Sequence, residues 1–545
     1  MGIEATNSPT SSDAAREGEQ ERRRLLGRAA VVGAGTLVSR LLGLLRDVTL
    51  AALFDREATD AWWVAFTIPN ALRSLLGEGA VTSAVVPMLT QKLETEGEAA
   101  GRQFFARVRG ASFVALIIVT GLGLVLARPL TELFAGGYRS RPVEFERTVT
   151  LTRAVFPYIL FMGTAALGMA ALNAKRCFFT ASFAPGLLNV ALIACAIFLP
   201  AIFVSRGLDP TLVLAVGALL GGALQVLAQI PSLRAIGYAS RPVFVLDADV
   251  RLLLRRIVPL TFGIGVYYVD LVLSRRLLSG LDAGSQSYFS WAMRLCDFPQ
   301  GIFVMALSTA ALPSLSSLAA KGERLELAKT WAHGMSIAMV VAIPASVILA
   351  VLGEPIVVAV FQRGAFDARS AHETARALYW QGAAIWTVAA VRQTVPALYA
   401  LGDTRTPVIV SAIDLVAFIA IALGLRGTLG HAGISAAVAG SSAVQALLLL
   451  VGLKWRLGTL CFGTLVPAAV RAVAASFVAG LAGFGFAHAV SHCAGSSSSS
   501  VVRVLPGVGG MGIFAAIYLG TMWTIRAPEF LEIASAMARR GRRMR

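Results

Sequence analysis

Between residues 29 and 525 the chain alternates apolar runs of about 20 residues with short polar, often basic, intervals. Each run is long enough to cross the hydrocarbon core of a bilayer as a helix. The runs fall at roughly 29–50, 60–91, 111–135, 148–174, 183–205, 209–232, 252–281, 285–318, 330–352, 371–401, 407–426, 430–454, 465–490 and 501–525, which predicts fourteen spans. Backbone groups in lipid must be bonded internally, and no segment shows the two-residue alternation of a barrel. The pattern therefore predicts an all-α polytopic membrane protein.

Composition agrees. With 56% hydrophobic and 14% charged residues, the 545-residue chain does not read as a set of soluble domains. The net charge of +17 changes the picture only through its distribution. Positive residues fill alternate intervals: Arg22–Arg24, then Lys92, Arg102, Arg107 and Arg109, then Lys175 and Arg176. They continue through Arg251, Arg255 and Arg256, then Lys321 and Lys329, to a tail ending in Arg539, Arg540, Arg542, Arg543 and Arg545. This bias places both termini in the cytoplasm and predicts contact with anionic membrane lipids, not with nucleic acid. Residues 1–24 are polar, with no apolar segment ahead of the first span, and read as a disordered tail. The five cysteines are scattered without metal or disulfide spacing.

The two halves echo each other. Phe66, Pro69 and Ala84-Val85-Val86-Pro87 in the second span correspond to Phe298, Pro299 and Ala310-Ala311-Leu312-Pro313 in the eighth. Ala171-Leu172-Asn173-Ala174 in the fourth corresponds to Ala397-Leu398-Tyr399-Ala400 in the tenth. Two bundles of six helices with a pair appended account for this, a duplication typical of transporters.

Polar residues inside the spans carry the chemistry. On a helical wheel Ser39, Arg40, Gly43, Arg46 and Asp47 share a sector of about 120°. Asn70, Arg73 and Gly77 repeat the arrangement with Glu78 beside them, and Ser290, Arg294, Asp297 and Gly301 repeat it again. An arginine at mid-bilayer costs about 2.5–3.5 kcal/mol on insertion scales, so several of them predict a shared polar cavity. Interhelical ion pairs explain any single pair, such as Arg294 with Asp297, but cations outnumber acids in these spans. A cationic cavity calls for an anion, and the guanidinium fork matches phosphate. Arg275 in the seventh span is a further candidate, whereas Arg392 lies near a span end and reads as snorkelling. Asp270 and Asp414 are lone intramembrane carboxylates, which implies a Na⁺ or proton coupling site or helix-packing hydrogen bonds by a protonated acid. His488 and His492 lack the zincin glutamate, residue 489 being Ala. No Ser-His-Asp arrangement, P-loop or carboxylate cluster supports an enzyme; the chain reads as a transporter.

The motif Ser39-Arg40-x-x-Gly43-x-x-Arg46-Asp47, with Ala58-Thr59-Asp60-Ala61, Phe66-x-x-Pro69-Asn70-x-x-Arg73 and Gly77-Glu78-Gly79-Ala80, resembles the opening signature of the MurJ (MviN) family. Phe183-Ala184-Pro185-x-x-Leu188-Asn189, Phe361-x-Arg363-Gly364-Ala365-Phe366 and Tyr399 to Pro407 extend the resemblance over about residues 28–455. These are bacterial lipid II flippases of the multidrug/oligosaccharidyl-lipid/polysaccharide exporter superfamily. The resemblance implies two six-helix lobes in a V around a cationic cavity. It also implies two further helices whose groove receives a polyprenyl tail, and alternating access driven by membrane potential, Na⁺ or H⁺. It implies lipid II as substrate, the bacterial cytoplasmic (inner) membrane as location, and association with cell-wall synthesis machinery. Arg40, Arg46, Asp60, Arg73 and Arg294 match positions needed in the family. Met293, Ser74 and Ser274 depart from it, standing where relatives carry a neighbouring charge.

On this reading residues 1–24 form a tail, 25–235 and 236–455 the two lobes, 456–530 the added pair, and 531–545 a basic cytoplasmic tail. The expected substrate-binding set is Ser39, Arg40, Arg46, Asp60, Asn70, Arg73, Glu78, Arg275, Arg294 and Asp297, on a monomer and with no bound cofactor. Two alternatives stay open: a flippase for another polyprenyl-diphosphate glycan, and a non-transporting membrane scaffold for cell-wall enzymes. A drug antiporter would need an acidic cavity rather than a cationic one.

Overall fold

A chain this apolar can satisfy its backbone in lipid only by forming helices. In the computed structural model, which describes residues 33–73, 80–301, 305–494 and 500–543, the described residues are helical with no strand among them. Eight helices among them are long and apolar enough to cross a membrane, from Gly97–Val125 to Val501–Thr524. Other expected spans are built from shorter helices in tandem. Pro200 starts a new helix after Gly186–Phe198, and Ala368–Ala383 is followed by Ile385–Ala400 with Ala384 between them. Proline lacks the N–H that would continue an i→i−4 ladder, which accounts for the first break.

The chain divides into two compact units. The first comprises residues up to 46, 68–126 and 152–264. Its core joins Val85, Met88 and Leu89 to Phe104, Phe105 and Val108, to Leu167 and Ala171, and to Tyr238 and Leu253. Leu212–Ala235 lies directly on Gly186–Phe198 because Gly217 and Gly221, one turn apart, present no side chain there. A Cβ at Gly221 would stand 2.7 Å from the Leu188 Cα. In a bilayer, where lipid is as apolar as leucine, such close packing holds helices together.

The second unit comprises 47–67, 127–151 and 265 onward. Leu277, Leu278, Phe289, Phe418, Ala422, Ile434 and Ala437 form one of its cores. The last two long helices, Phe462–Ala494 and Ser500–Thr524, belong to this unit. The Tyr518 hydroxyl donates to the Val340 carbonyl at 2.6 Å, which pins the final span to Arg324–Val351. Segments 47–67 and 127–151 precede the midpoint of the chain, yet they pack within this second unit.

Candidate functional site

In the first unit the polar stripe is organised by an asparagine. Residues 33–53 are helical, so Ser39, Gly43 and Arg46 fall along one side. The Asn189 side chain lies against that side: its Nδ2 donates to the Ser39 carbonyl at 3.2 Å and its Oδ1 accepts from Arg46 Nη1 at 3.0 Å. A Cβ at Gly43 would stand 3.7 Å from Asn189 Nδ2, so the glycine leaves the amide room to approach. Arg46 is 8% exposed. A bond to an amide oxygen orients a guanidinium. Arg73, half-buried at the end of Arg56–Arg73, uses the same device: its Nε donates to Asn70 Oδ1 at 3.0 Å. Arg40 is half-buried one turn before Gly43, and Glu78 lies outside the described residues.

In the second unit the helix Ser285–Pro299 carries most of the remaining candidates. Gln286, Ser290, Arg294 and Asp297 stand at intervals of four, four and three, one stripe on a helix. Arg294 Nε donates to the buried Asp47 carboxylate at 2.5 Å, and Asp297 lies 3.8 Å from its Nη1. Arg294 thus lies near Asp297, the acid three residues on, but its close partner is Asp47 from another helix. Arg275 is buried; its Nη1 donates to Gln286 Oε1 at 3.0 Å and to the Ser290 hydroxyl at 2.8 Å. The Trp63 ring lies 5.9 Å from its guanidinium carbon. That cage makes Arg275 a helix-to-helix tie within the unit.

Asp60 does something the sequence did not suggest. The helix Ser285–Pro299 begins after Gly284, whose φ of +97° only glycine adopts easily and which offers no capping side chain. Asp60 supplies the missing cap from another helix. It accepts from the Gly284 N–H at 2.7 Å, from the Ser287 N–H at 2.8 Å and from the Ser287 hydroxyl at 2.6 Å. A carboxylate at a helix N-terminus also gains from the helix dipole.

Asp270 and Asp414 lie within electrostatic reach of each other, and each has a buried carboxyl oxygen with no hydrogen-bond partner. The Ser441 hydroxyl bonds Asp414. No group of three or more His, Cys, Asp or Glu stands together among the described residues.

Two features escaped the sequence reading of the site. Asn189 was visible as a lone amide in an apolar run, and Asp47 as a member of the first stripe; neither was placed in the binding set. What sequence could not show is that Asn189 reaches both Ser39 and Arg46.

A helical protein of many spans, with oriented arginines inside them, has the build of a membrane transporter. Solved transporters share the fold: a lipid II flippase MurJ in an inward closed conformation gives a TM-score of 0.70 at 21% identity, covering 90% of this chain and 99% of that one. An inward-facing multidrug resistance MATE family transporter of the MOP superfamily gives 0.63 at 14%, covering 77% and 95%. Residues 50–504 match the family model described as lipid II flippase MurJ, and the chain belongs to that family. The lipid II flippase MurJ of Burkholderia cenocepacia is 31% identical, over 90% of this chain and 95% of that one. A probable lipid II flippase MurJ of Vibrio cholerae is 33% identical, over 79% and 83%.

Proposed function

We propose that this chain is a lipid II flippase, a transporter that moves the polyprenyl-diphosphate-linked peptidoglycan precursor across the bacterial cytoplasmic membrane. The observation that carries the reading is Arg46, buried in a membrane helix and aimed by Asn189, in a chain of this family. A guanidinium placed there offers a phosphate a bidentate, charge-assisted contact, and a diphosphate fits it. Arg40, Arg46 and Arg73 are the candidate ligands of the first unit, and Arg294 is that of the second. The Asp47 bond to Nε, with Asp297 3.8 Å from Nη1, sets the direction of the Arg294 guanidinium. Asp60 and Arg275 serve as structural supports of this set, and Ser39 and Asn70 as its polar lining.

The headgroup passes by alternating access, with both termini in the cytoplasm, as the positive intervals imply. Asp270 and Asp414 with Ser441 form a two-carboxylate site suited to Na⁺ or a shared proton, which couples the cycle to an ion gradient. Each chain works as a monomer beside the machinery that consumes its product.

Complementation tests this reading. The wild-type chain should restore growth to bacteria depleted of their own lipid II flippase, while Arg46→Ala and Arg73→Ala, present in the membrane at equal level, should lyse. Failure of inserted wild type to rescue would redirect the reading to another polyprenyl-linked glycan; full rescue by both variants would end the arginine model.

A further inference from the structure

The first unit holds a second cationic recess, away from the arginine stripe. Glu98, Arg102, Lys175, Arg234 and Gly237 line a cavity of about 470 Å³. Three cations face one acid, and that acid already bonds Lys175. Arg102 Nε is tied to the Glu98 carbonyl at 3.3 Å, which leaves its terminal nitrogens toward the recess. Arg234 is shared with a smaller cavity of about 180 Å³, lined by Thr164, Gln229, Phe105 and Leu233 among others.

Gln229 is the second, independent observation. It is 1% exposed, yet neither atom of its amide has a hydrogen-bond partner. A Cβ at Gly168 would collide with its Oε1, so the helix Tyr158–Ala174 is cut away to seat this side chain. An unpaired buried amide is costly, and a ligand with hydroxyl or carbonyl groups would recover that cost.

The wall beside these cavities is braced. Arg109 Nη1 donates to the Ser240 carbonyl at 2.6 Å, and the Val243 N–H to the Ala106 carbonyl at 2.9 Å. Past Ser240 the extended segment exposes Val243, Phe244, Val245 and Leu246 in succession, an apolar edge suited to a bilayer interface. Lys92, Arg251, Arg255 and Arg256 mark the same end of the unit as the cytoplasmic one.

We infer that Arg102, Lys175 and Arg234 with Gln229 form a binding site for a phosphate ester whose substituent bears hydroxyls, distinct from the transport arginines. The adjoining apolar edge favours the headgroup of an anionic phospholipid of the inner leaflet over a soluble phosphate. The inference does not depend on what the protein transports.

Native mass spectrometry of the full chain in detergent tests it. Phosphatidylglycerol, phosphatidylcholine and sn-glycerol 3-phosphate are titrated separately onto wild type, Arg102→Gln/Arg234→Gln, Gln229→Leu and, as control, the exposed Arg255→Gln. The expected result is phosphatidylglycerol binding at least about tenfold tighter than phosphatidylcholine, since each charged hydrogen bond is worth about 1.5–3 kcal/mol. The double variant should lose that preference, Gln229→Leu should weaken it, and Arg255→Gln should keep it. Tight binding of sn-glycerol 3-phosphate, lost in the same variants, would support the site with a soluble ligand. No preference for phosphatidylglycerol, or equal affinity in wild type and both site variants, would overturn it. Gln229→Leu conserves volume, so it reads the site even where the double variant unfolds.

Discussion

Asp47 and Arg294, 247 positions apart, meet through a 2.5 Å bond from Nε to a carboxylate that is entirely buried. Removing one partner of a buried pair leaves the other charge stranded, at about 3–5 kcal/mol when both are enclosed; the 31% exposure of the Arg294 side chain reduces that here. Arg294→Ala should therefore destabilise more than Asp47→Ala, because it strands the fully buried carboxylate, whereas Asp47→Ala strands a guanidinium that solvent still reaches. The pair Asp47→Ala/Arg294→Ala should recover about 1–3 kcal/mol of coupling in a double-mutant cycle read by thermal unfolding in detergent. Additive losses would mean that the bond contributes nothing.

The Asp60 cap makes a separate prediction. Asp60→Ala leaves the Gly284 and Ser287 N–H groups without their acceptor and should cost about 1–3 kcal/mol. Asp60→Asn keeps one acceptor oxygen but turns an NH₂ toward an N–H, and should fall between wild type and alanine. Hydrogen exchange at Gly284 to Ser287 is the direct readout: protection there should drop in both variants while Phe418 and Ile434 elsewhere in the unit keep theirs.

Asn189 should behave as a positioning residue. With Asn189→Leu the Arg46 guanidinium loses the acceptor that aims it, and loss of a charged hydrogen bond of about 1.5–3 kcal/mol corresponds to roughly tenfold or more in transport rate. Asn189→Asp strengthens the bond and neutralises the arginine, so it too should impair flipping, while raising rather than lowering the melting temperature. Lipid II translocation in proteoliposomes, with unfolding measured on the same preparations, separates these effects.

How far the sequence foretold this arrangement depends on the range of the interaction. Span number and the stripes on single helices follow from hydropathy and a 100° step, both local properties, so Arg40, Arg46, Asn70, Arg73 and Arg294 were legible. Partnerships are not local. The sequence offered Asp297 to Arg294 because they are three apart, whereas the fold gives it Asp47 as the close partner. Arg275 stood out as a cation within the seventh span, but its bonds to Gln286 and Ser290, eleven and fifteen residues on, have no local signature. Asp60 was singled out by resemblance alone; its capping of a helix 224 residues away has no signature short of the fold. Tandem helices such as Ile385–Ala400 after Ala368–Ala383 read as one apolar run, because a break that costs one or two hydrogen bonds barely alters hydropathy.

The carboxylate pair predicts a cation effect. If Asp270 and Asp414 take up Na⁺, the chain should unfold at higher temperature in NaCl than in choline chloride at equal ionic strength. At a hundredfold excess over Kd the stabilisation would be about 2.7 kcal/mol. Asp270→Asn and Asp414→Asn should each abolish the difference. A wild type indifferent to Na⁺ but sensitive to pH across the same range would assign the pair a shared proton instead.

Asp403 lies outside the spans, between Ile385–Ala400 and Arg405–Leu429, and predicts the acid limb of stability. Burial by itself would raise this carboxyl, but the Thr406 N–H, the Thr406 hydroxyl and the Arg456 guanidinium outweigh it and hold the group at about 2. Those bonds measure 3.0, 2.8 and 2.6 Å. The folded form therefore binds its proton less readily than the unfolded chain, whose carboxyl titrates at the ordinary aspartate value of about 3.9. Stability from Asp403 is fully present above that value, begins to fall as the unfolded chain takes up a proton, and is lost as pH drops through about 2. Thermal unfolding of wild type and Asp403→Asn should show a constant gap from pH 7 down to about 4.5, a narrowing gap below it, and none attributable to ionisation below about 2. Arg456→Gln should shift the start of the narrowing little, because the unfolded carboxyl sets it, but should make the gap smaller throughout. A gap unchanged across the acid range would show that the charge on Asp403 contributes nothing and that the gap reflects only the poorer hydrogen bonding of the amide.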